Sequence, residues 1–196
     1  MKKMRFLFFI GFILMLVNFS ACNKLENATT SASKLMVDII TGTDLTGSAG
    51  STTIFSDVVI KGGIFNDSAE ATVRAVLLDP YGGALPNTFY QTIIIDRIQI
   101  EYSRSDGLSE QGKDVPYAFS QDVNVSIDID SVVSFSFVLV QHTAKLEPPL
   151  LNLRYALEVL KMEAKITFYG KDVGGRRIAP VTGSVSVWFA DFADEE

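Results

Sequence analysis

The feature that most restricts the fold is the spacing of apolar residues along the chain after position 34. Every second residue is apolar in short runs, and clusters of Gly, Pro, Asp and Asn separate these runs. Between Val123 and Ile129, for example, apolar residues alternate with Asn124, Ser126 and Asp128. Side chains of a strand point alternately to its two faces, so this period of two predicts half-buried β-strands joined by tight turns.

About eight such runs occur at intervals of about 10 to 20 residues, with no alternation of strands and helices and no fixed repeat. This arrangement predicts an all-β fold, a two-layer antiparallel β-sandwich with immunoglobulin-like or fibronectin-like architecture. A C2-like or jelly-roll sandwich is the alternative. The chain has one Cys and one Trp, so it lacks the Cys…Trp…Cys framework of true immunoglobulin domains.

Three segments of the predicted sandwich carry more specific expectations. In the longest predicted strand, residues 92–104, Ile94 shares the apolar face with Ile98. Residues 133–141 are apolar on both faces, which predicts a strand at the centre of a sheet or under a covering segment. From Pro149 to Leu160 the leucines follow helical spacing, so this stretch is either a short crossover helix or an irregular crossover.

The first 21 residues are organised differently from the rest of the chain. Lys2, Lys3 and Arg5 precede an apolar run from Phe6 to Val17. As a helix, twelve residues span about 18 Å, well short of the roughly 30 Å hydrocarbon core of a bilayer. Small residues follow the run. Residues 1–21 are therefore predicted to be a signal peptide that is removed, rather than a membrane span.

The sequence Phe19-Ser20-Ala21-Cys22 resembles the lipobox of bacterial lipoproteins, with Phe19 at the place where that family most often has Leu. The resemblance implies that Cys22 becomes the first residue of the mature chain and carries a diacylglycerol thioether and further acyl chains such as palmitate. Two or more acyl chains hold a protein stably on a membrane. Asn23 in place of Asp resembles the outer-membrane sorting choice of enteric bacteria. The expected location is therefore the cell envelope, and the outer membrane if the host is Gram-negative.

These features divide the chain into four predicted segments: the signal peptide 1–21, the lipidated Cys22 with a flexible tether at 22–33, the β-sandwich 34–192 and an acidic tail 193–196. Three of the 17 basic residues lie in the leader, so the mature part has 14 basic and 23 acidic residues, a formal charge of −9. A polyanion would be repelled by such a surface. Nucleic acid is therefore not an expected partner.

The chain is poor in residues that carry chemistry. His142 is the only histidine, no Gly-x-Ser-x-Gly elbow is present, and the only cysteine is assigned to lipid. The expected function is a non-enzymatic accessory or interaction module that binds an envelope protein or a glycan. The alternative is a carbohydrate-active hydrolase, because acid/base work on a glycoside needs only two carboxylates about 5 to 10 Å apart.

Two groups of residues are candidate binding sites. Asp122, Asp128 and Asp130 form the densest acidic group, and calcium takes six to eight oxygen ligands. A calcium site there competes with a simpler interpretation, in which these carboxylates keep a strand edge soluble. No other cofactor is expected. Asp67 lies beside turn residues and is expected to be a turn former.

The second candidate is a binding surface formed by Trp188, Arg176 and Arg177. Trp188 falls on the strand face opposite Val187, where it is either an exposed aromatic residue of a binding surface or a side chain packed under a loop. Arg176 and Arg177 follow a predicted hairpin glycine pair and suit a salt bridge or a lipid headgroup.

Overall fold

The computed structural model describes residues 30–44, 48–59, 63–78 and 89–192. The predicted signal peptide, Cys22, most of the tether and the acidic tail lie outside these residues. Within them the chain forms nine strands. Their bounds are β1 (Ser33–Thr43), β2 (Ala49–Ser51), β3 (Thr53–Asp57), β4 (Asp67–Leu77), β5 (Ile93–Ser103), β6 (Phe119–Ile127), β7 (Val132–Val140), β8 (Leu160–Asp172) and β9 (Val181–Ala190).

The strands form two sheets, as the alternation predicted. One sheet has the order β2-β1-β4-β7 and the other the order β3-β9-β8-β5-β6. The all-β sandwich is therefore confirmed. It is not wholly antiparallel, because β3 pairs in parallel with β9.

The boundary of the sandwich lies slightly before the predicted residue 34. Ser33 begins β1 opposite Leu77, and the Ser31 amide donates to the Arg177 carbonyl at 2.9 Å. Ser31 and Ser33 are both buried. Small polar residues predicted a tether here, but their size also allows them to pack against a neighbouring hairpin.

The core lies between the sheets and is centred on aromatic residues. The ring of Phe168 in β8 meets the rings of Phe135 and Phe137 in β7 edge to face, with centroids 6.2 Å apart in both pairs. Edge-to-face pairs add to the gain from burial because the positive ring edge meets the negative face. These contacts join the two sheets.

A β-bulge changes the face on which two residues of β5 lie. Along the pairing with β8, Ile95 is opposite Gly170 and Arg97 is opposite Tyr169, so Asp96 is an extra residue. Asp96 and Arg97 therefore both point away from the core. The prediction that Ile94 shares a face with Ile98 was wrong for this reason, since Ile93 and Ile95 are the fully buried pair.

The strand β7 lies at the edge of its sheet, which excludes the first of its two predicted placements, at the centre of a sheet. The free backbone edge of β7 is covered by a side chain instead of a strand. The Gln121 amide of β6 donates to the Val138 carbonyl at 2.7 Å, and the Val138 amide donates to the Gln121 Oε1 at 3.3 Å. The side chain of Gln121 thus replaces a neighbouring strand and closes the gap between the two sheets.

We expect Gln121→Ala to lower the free energy of unfolding by about 1–2 kcal/mol, because the Val138 peptide group loses both partners in a partly buried place. Urea denaturation measures the change. Asn124→Ala is the matched control, since Asn124 is an exposed amide on the same strand and should change stability by less than about 0.5 kcal/mol. Equal losses for the two variants would contradict the role assigned to Gln121.

The segment between β7 and β8 covers one end of the sandwich. It contains a 3-10 turn at Ala144–Leu146 and a short helix, α1 (Leu150–Leu153). Leu150 and Leu153 are buried and the rest is irregular, so both alternatives for residues 149–160 apply in part. We call this end, which also has the loop 104–118, the distal end. The proximal end is the opposite one, where Thr30 pairs with Arg177.

Candidate functional site

An open groove of about 810 Å³ lies on the outer face of the five-stranded sheet. The bulge in β5 supplies Asp96 and Arg97, β6 supplies Asp122, and β8 supplies Tyr169 and Lys171. These five side chains converge although they come from three strands. The bulge is essential to this arrangement, because an unbroken alternation would place Asp96 and Arg97 on opposite faces.

The groove combines an aromatic ring with charges of both signs. The Arg97 guanidinium lies 4.2 Å from the centroid of the Tyr169 ring. The Tyr169 hydroxyl donates to the Gln99 Oε1 at 3.0 Å, which fixes the ring. Lys171 approaches Asp96 at 3.9 Å, and Asp122 is directly opposite Arg97 in the strand pairing. Such a surface can hydrogen-bond to a polar ligand and stack on it.

The two carboxylates of the groove, Asp96 and Asp122, have cationic neighbours. A carboxyl that must carry a proton at neutral pH needs burial or a like-charged neighbour. Asp96 and Asp122 are instead open to solvent and lie beside Lys171 and Arg97. Carboxylates placed in this way can accept hydrogen bonds from a polar ligand.

Trp188 lies on the same outer face, near the distal end of β9. The Lys161 ammonium sits 3.8 Å from its ring centroid, and the ring of Phe55 meets it edge to face at 5.4 Å. Trp188 is half-buried, with Lys161 above it rather than a loop. It lines a smaller depression with Arg104 and Ser186 that is separate from the groove.

The two arginines of the predicted binding surface, Arg176 and Arg177, have different roles. The Arg176 Nε donates to the Asp172 Oδ2 at 2.9 Å, and the Arg176 amide donates to the Oδ1 of the same carboxylate. This ion pair closes the predicted hairpin, in which Gly175 has a φ of 84°. Arg177 is exposed and lines the groove. Arg176 is thus structural, whereas Arg177 is available to a ligand.

The three predicted calcium ligands are not brought together. Asp122 lies within β6, whereas Asp128 and Asp130 lie in the turn after it, about 20 Å away for six residues of extended strand. The Asp128 carboxylate accepts a hydrogen bond from the Thr92 hydroxyl at 2.8 Å. Among the residues that the structure describes, no group of three or more His, Cys, Asp or Glu could hold a metal ion. The calcium hypothesis therefore has no support from geometry.

His142 links two strands at the distal end of the sandwich. Its backbone amide donates to the Asn66 Oδ1 at 2.7 Å, and its ring Nδ1 lies 3.0 Å from the same oxygen. The residue is exposed at the distal end of β7. The contact joins the beginning of β4 to the end of β7.

A buried ion pair at the distal end was not predicted. The Lys145 side chain is fully buried, and its Nζ donates to the Asp67 Oδ1 at 2.9 Å and to the Asp57 carbonyl at 2.7 Å. Burial raises the pKa of Asp67, and the Lys145 ammonium opposes that rise. Asp67 is therefore not a turn former as expected. The hydrophilic sequence around Lys145 gives no signal of burial, because only the tertiary fold covers it.

No family model, curated protein or solved structure matches the chain. In the described part of the chain, no helix has the length and hydropathy needed to cross a membrane.

Proposed function

We propose that this protein is a lipid-anchored lipoprotein of the bacterial cell envelope whose β-sandwich is a non-enzymatic interaction module. The groove on the five-stranded sheet is its binding surface, and its ligand is a polar envelope component, either a protein or a glycan. The observation that carries the proposal is the convergence of Arg97, Tyr169 and Asp122 in an open groove on a rigid sheet. The lipobox-like sequence before Cys22 supports the anchor.

The charges of the groove favour binding over hydrolysis. Its carboxylates are exposed and lie beside cations, whereas the raised pKa of Asp67 arises at the buried ion pair with Lys145. Asp67 lies outside the groove and is held by that pair. A hydrolase of this kind would need a carboxyl group with a raised pKa in the cleft that receives the substrate.

The anchor is tested by intact-mass analysis of the protein produced in a bacterium. We expect the mature chain to begin at Cys22 and to carry the mass of a diacylglycerol and at least one further acyl chain. Cys22→Ser should leave residues 1–21 attached and remove the acyl mass. A wild-type protein that retains residues 1–21, or begins with a free thiol, would contradict the proposal.

The groove is tested by a photoreactive amino acid at position 122, with position 70 as the control. Asp122 and Glu70 are both exposed acidic residues in strands, but Glu70 lies on the outer face of the other sheet. We expect adducts in intact cells from position 122 only, and Arg97→Ala in the same chain should remove them. Similar adducts from both positions, or adducts that persist without Arg97, would contradict a specific site. The mass of the adduct distinguishes a protein from a glycan.

A further inference from the structure

Three large apolar side chains are exposed together at the proximal end of the sandwich. Leu78 is 61% exposed, Phe89 is 72% exposed and Tyr90 is 65% exposed. The rings of Phe89 and Tyr90 meet edge to face at 6.3 Å, on a 3-10 turn that precedes β5. We call these three residues the proximal patch.

Hydrogen bonds fix the proximal patch beside the first residues of the sandwich. The Leu78 amide donates to the Ala32 carbonyl at 2.9 Å. The Ser33 hydroxyl donates to the Gln91 carbonyl at 2.8 Å, which holds the turn that carries the aromatic pair. The patch therefore surrounds the place where the chain from Cys22 joins the fold.

We propose that the proximal patch inserts into the headgroup region of the bilayer to which the acyl chains of Cys22 are attached. This inference rests on the proposed lipid anchor and adds that the sandwich stands end-on, in contact with the membrane. Tyr90 suits that depth because its ring is apolar while its hydroxyl can reach water, and Phe89 and Leu78 add apolar area that can enter the acyl boundary.

The length of the chain before the sandwich supports this orientation. Eight residue steps separate Cys22 from Thr30 and reach at most about 29 Å when fully extended. The strand β8 has 13 residues and is about 40 Å long. If the distal end faced the bilayer, Thr30 would stand farther from the surface than the chain can reach.

The broad faces of the sandwich are less suited to lipid. On one sheet Arg74 pairs with Asp38, and on the other Lys165 pairs with Glu101. Placing either face in the headgroup region would remove water from such charged groups without a compensating apolar gain. Contact through the proximal end offsets this cost, because Leu78, Phe89 and Tyr90 supply exposed apolar area there.

The contact is apolar rather than electrostatic. Arg177 is exposed at the proximal end, but so are Asp128 and Asp130 of the turn between β6 and β7. These charges have no dominant sign. Anionic lipid is therefore not required, and salt should have little effect on the contact.

The test uses the mature lipoprotein in phosphatidylcholine vesicles, with tryptophan fluorescence as the reporter. In a Trp188→Phe background, Phe89→Trp places the reporter in the patch, and Tyr155→Trp places it at the distal end, where Tyr155 is 92% exposed. Lipids brominated near the carbonyl end of the acyl chains quench tryptophan on contact. Inserted residues lie about 5–10 Å into the headgroup and acyl boundary, so we expect at least about twofold quenching at position 89 and almost none at 155.

The outcomes separate the inference from the proposed anchor. If intact mass shows acylation and position 89 is not quenched, or is quenched no more than 155, the inference is wrong and the anchor stands. If acylation is absent, the anchor is wrong, and the vesicle measurement is made on the chain with the Cys22 thiol coupled to a maleimide lipid. Quenching at 89 then supports the inference, and its absence overturns it.

Quenching that disappears at high salt would overturn the apolar mode of contact.

Discussion

Lys145→Met should lower the free energy of unfolding by about 3–5 kcal/mol, because it leaves the Asp67 carboxylate buried without its counter-charge. The Asp67 Oδ1 would lose its hydrogen-bond partner, and Ser56 would be the remaining side chain placed to hydrogen-bond to the carboxylate. The Asp57 carbonyl would lose a donor as well. Urea denaturation at neutral pH measures the loss.

Acid should narrow the difference in stability between Lys145→Met and the wild-type protein. Burial already raises the pKa of Asp67, and removing the ammonium removes the main influence that opposes the rise. A carboxyl whose pKa is higher in the folded state favours folding when protonated and disfavours it when ionised. In the variant, the loss of folding free energy caused by Asp67 is therefore absent below the pKa of this carboxyl in the unfolded chain, about 3.8. It appears as pH rises through the pKa of Asp67 in the folded protein.

Two variants serve as controls for this prediction. Lys165→Met removes an exposed pair, Lys165 with Glu101 at 3.5 Å, and should cost less than about 1 kcal/mol. Replacing both Lys145 and Asp67 with apolar residues of similar size should recover much of the loss, since neither charge is then buried alone. A loss for Lys145→Met that is the same at pH 4 and pH 7 would contradict the explanation.

Gly170→Ala should lower the free energy of unfolding by about 1–3 kcal/mol despite the small size of the added methyl group. A Cβ at position 170 would lie 2.4 Å from the Ile94 carbonyl oxygen and 3.1 Å from the Ile95 Cα. These are backbone atoms of the neighbouring strand, immediately before the bulge at Asp96. Relief of the clash therefore requires β5 and β8 to move apart beneath the groove.

Gly183→Ala is the matched control for Gly170→Ala. It also adds a methyl group to a strand of the five-stranded sheet, but its closest neighbour is the Cδ1 of Ile40 at 2.6 Å. The end of a flexible side chain can rotate away, so we expect a smaller loss. Thermal unfolding of both variants makes the comparison, and a larger loss for Gly183→Ala would contradict the argument.

The sandwich was predictable because its main strands expose one face and bury the other. Strand β6 alternates between exposed and less exposed residues along its whole length, and its sequence alternates with it. Bulges were not predictable. The extra residue Asp96 shifts the alternation of β5 by one, and no residue type marks the place in the sequence. The central placement considered for β7 was wrong because the side chain of Gln121, rather than a strand, covers its free edge.

The candidate site was predictable only in fragments. Arg177 and Asp122 were chosen for their charge and both line the groove, but nothing in the sequence joins them to Tyr169 or Arg97. Their convergence depends on strand order and on the bulge in β5. The sequence led to the opposite error for Asp122, Asp128 and Asp130. A period of two places these residues on one face, but the extended strand keeps them apart.

The Gln121 amide has a consequence for a protein confined to a membrane surface. Confinement to two dimensions raises the local concentration of copies, and unpaired strand edges then favour chains of molecules joined edge to edge. Here the two long edge strands, β6 and β7, are bridged by the Gln121 side chain at Val138, while the other two edge strands, β2 and β3, have only three and five residues. If the proposed anchor holds, the Gln121 bridge and the short outer strands would leave fewer backbone groups open to pairing between neighbouring copies on a bilayer.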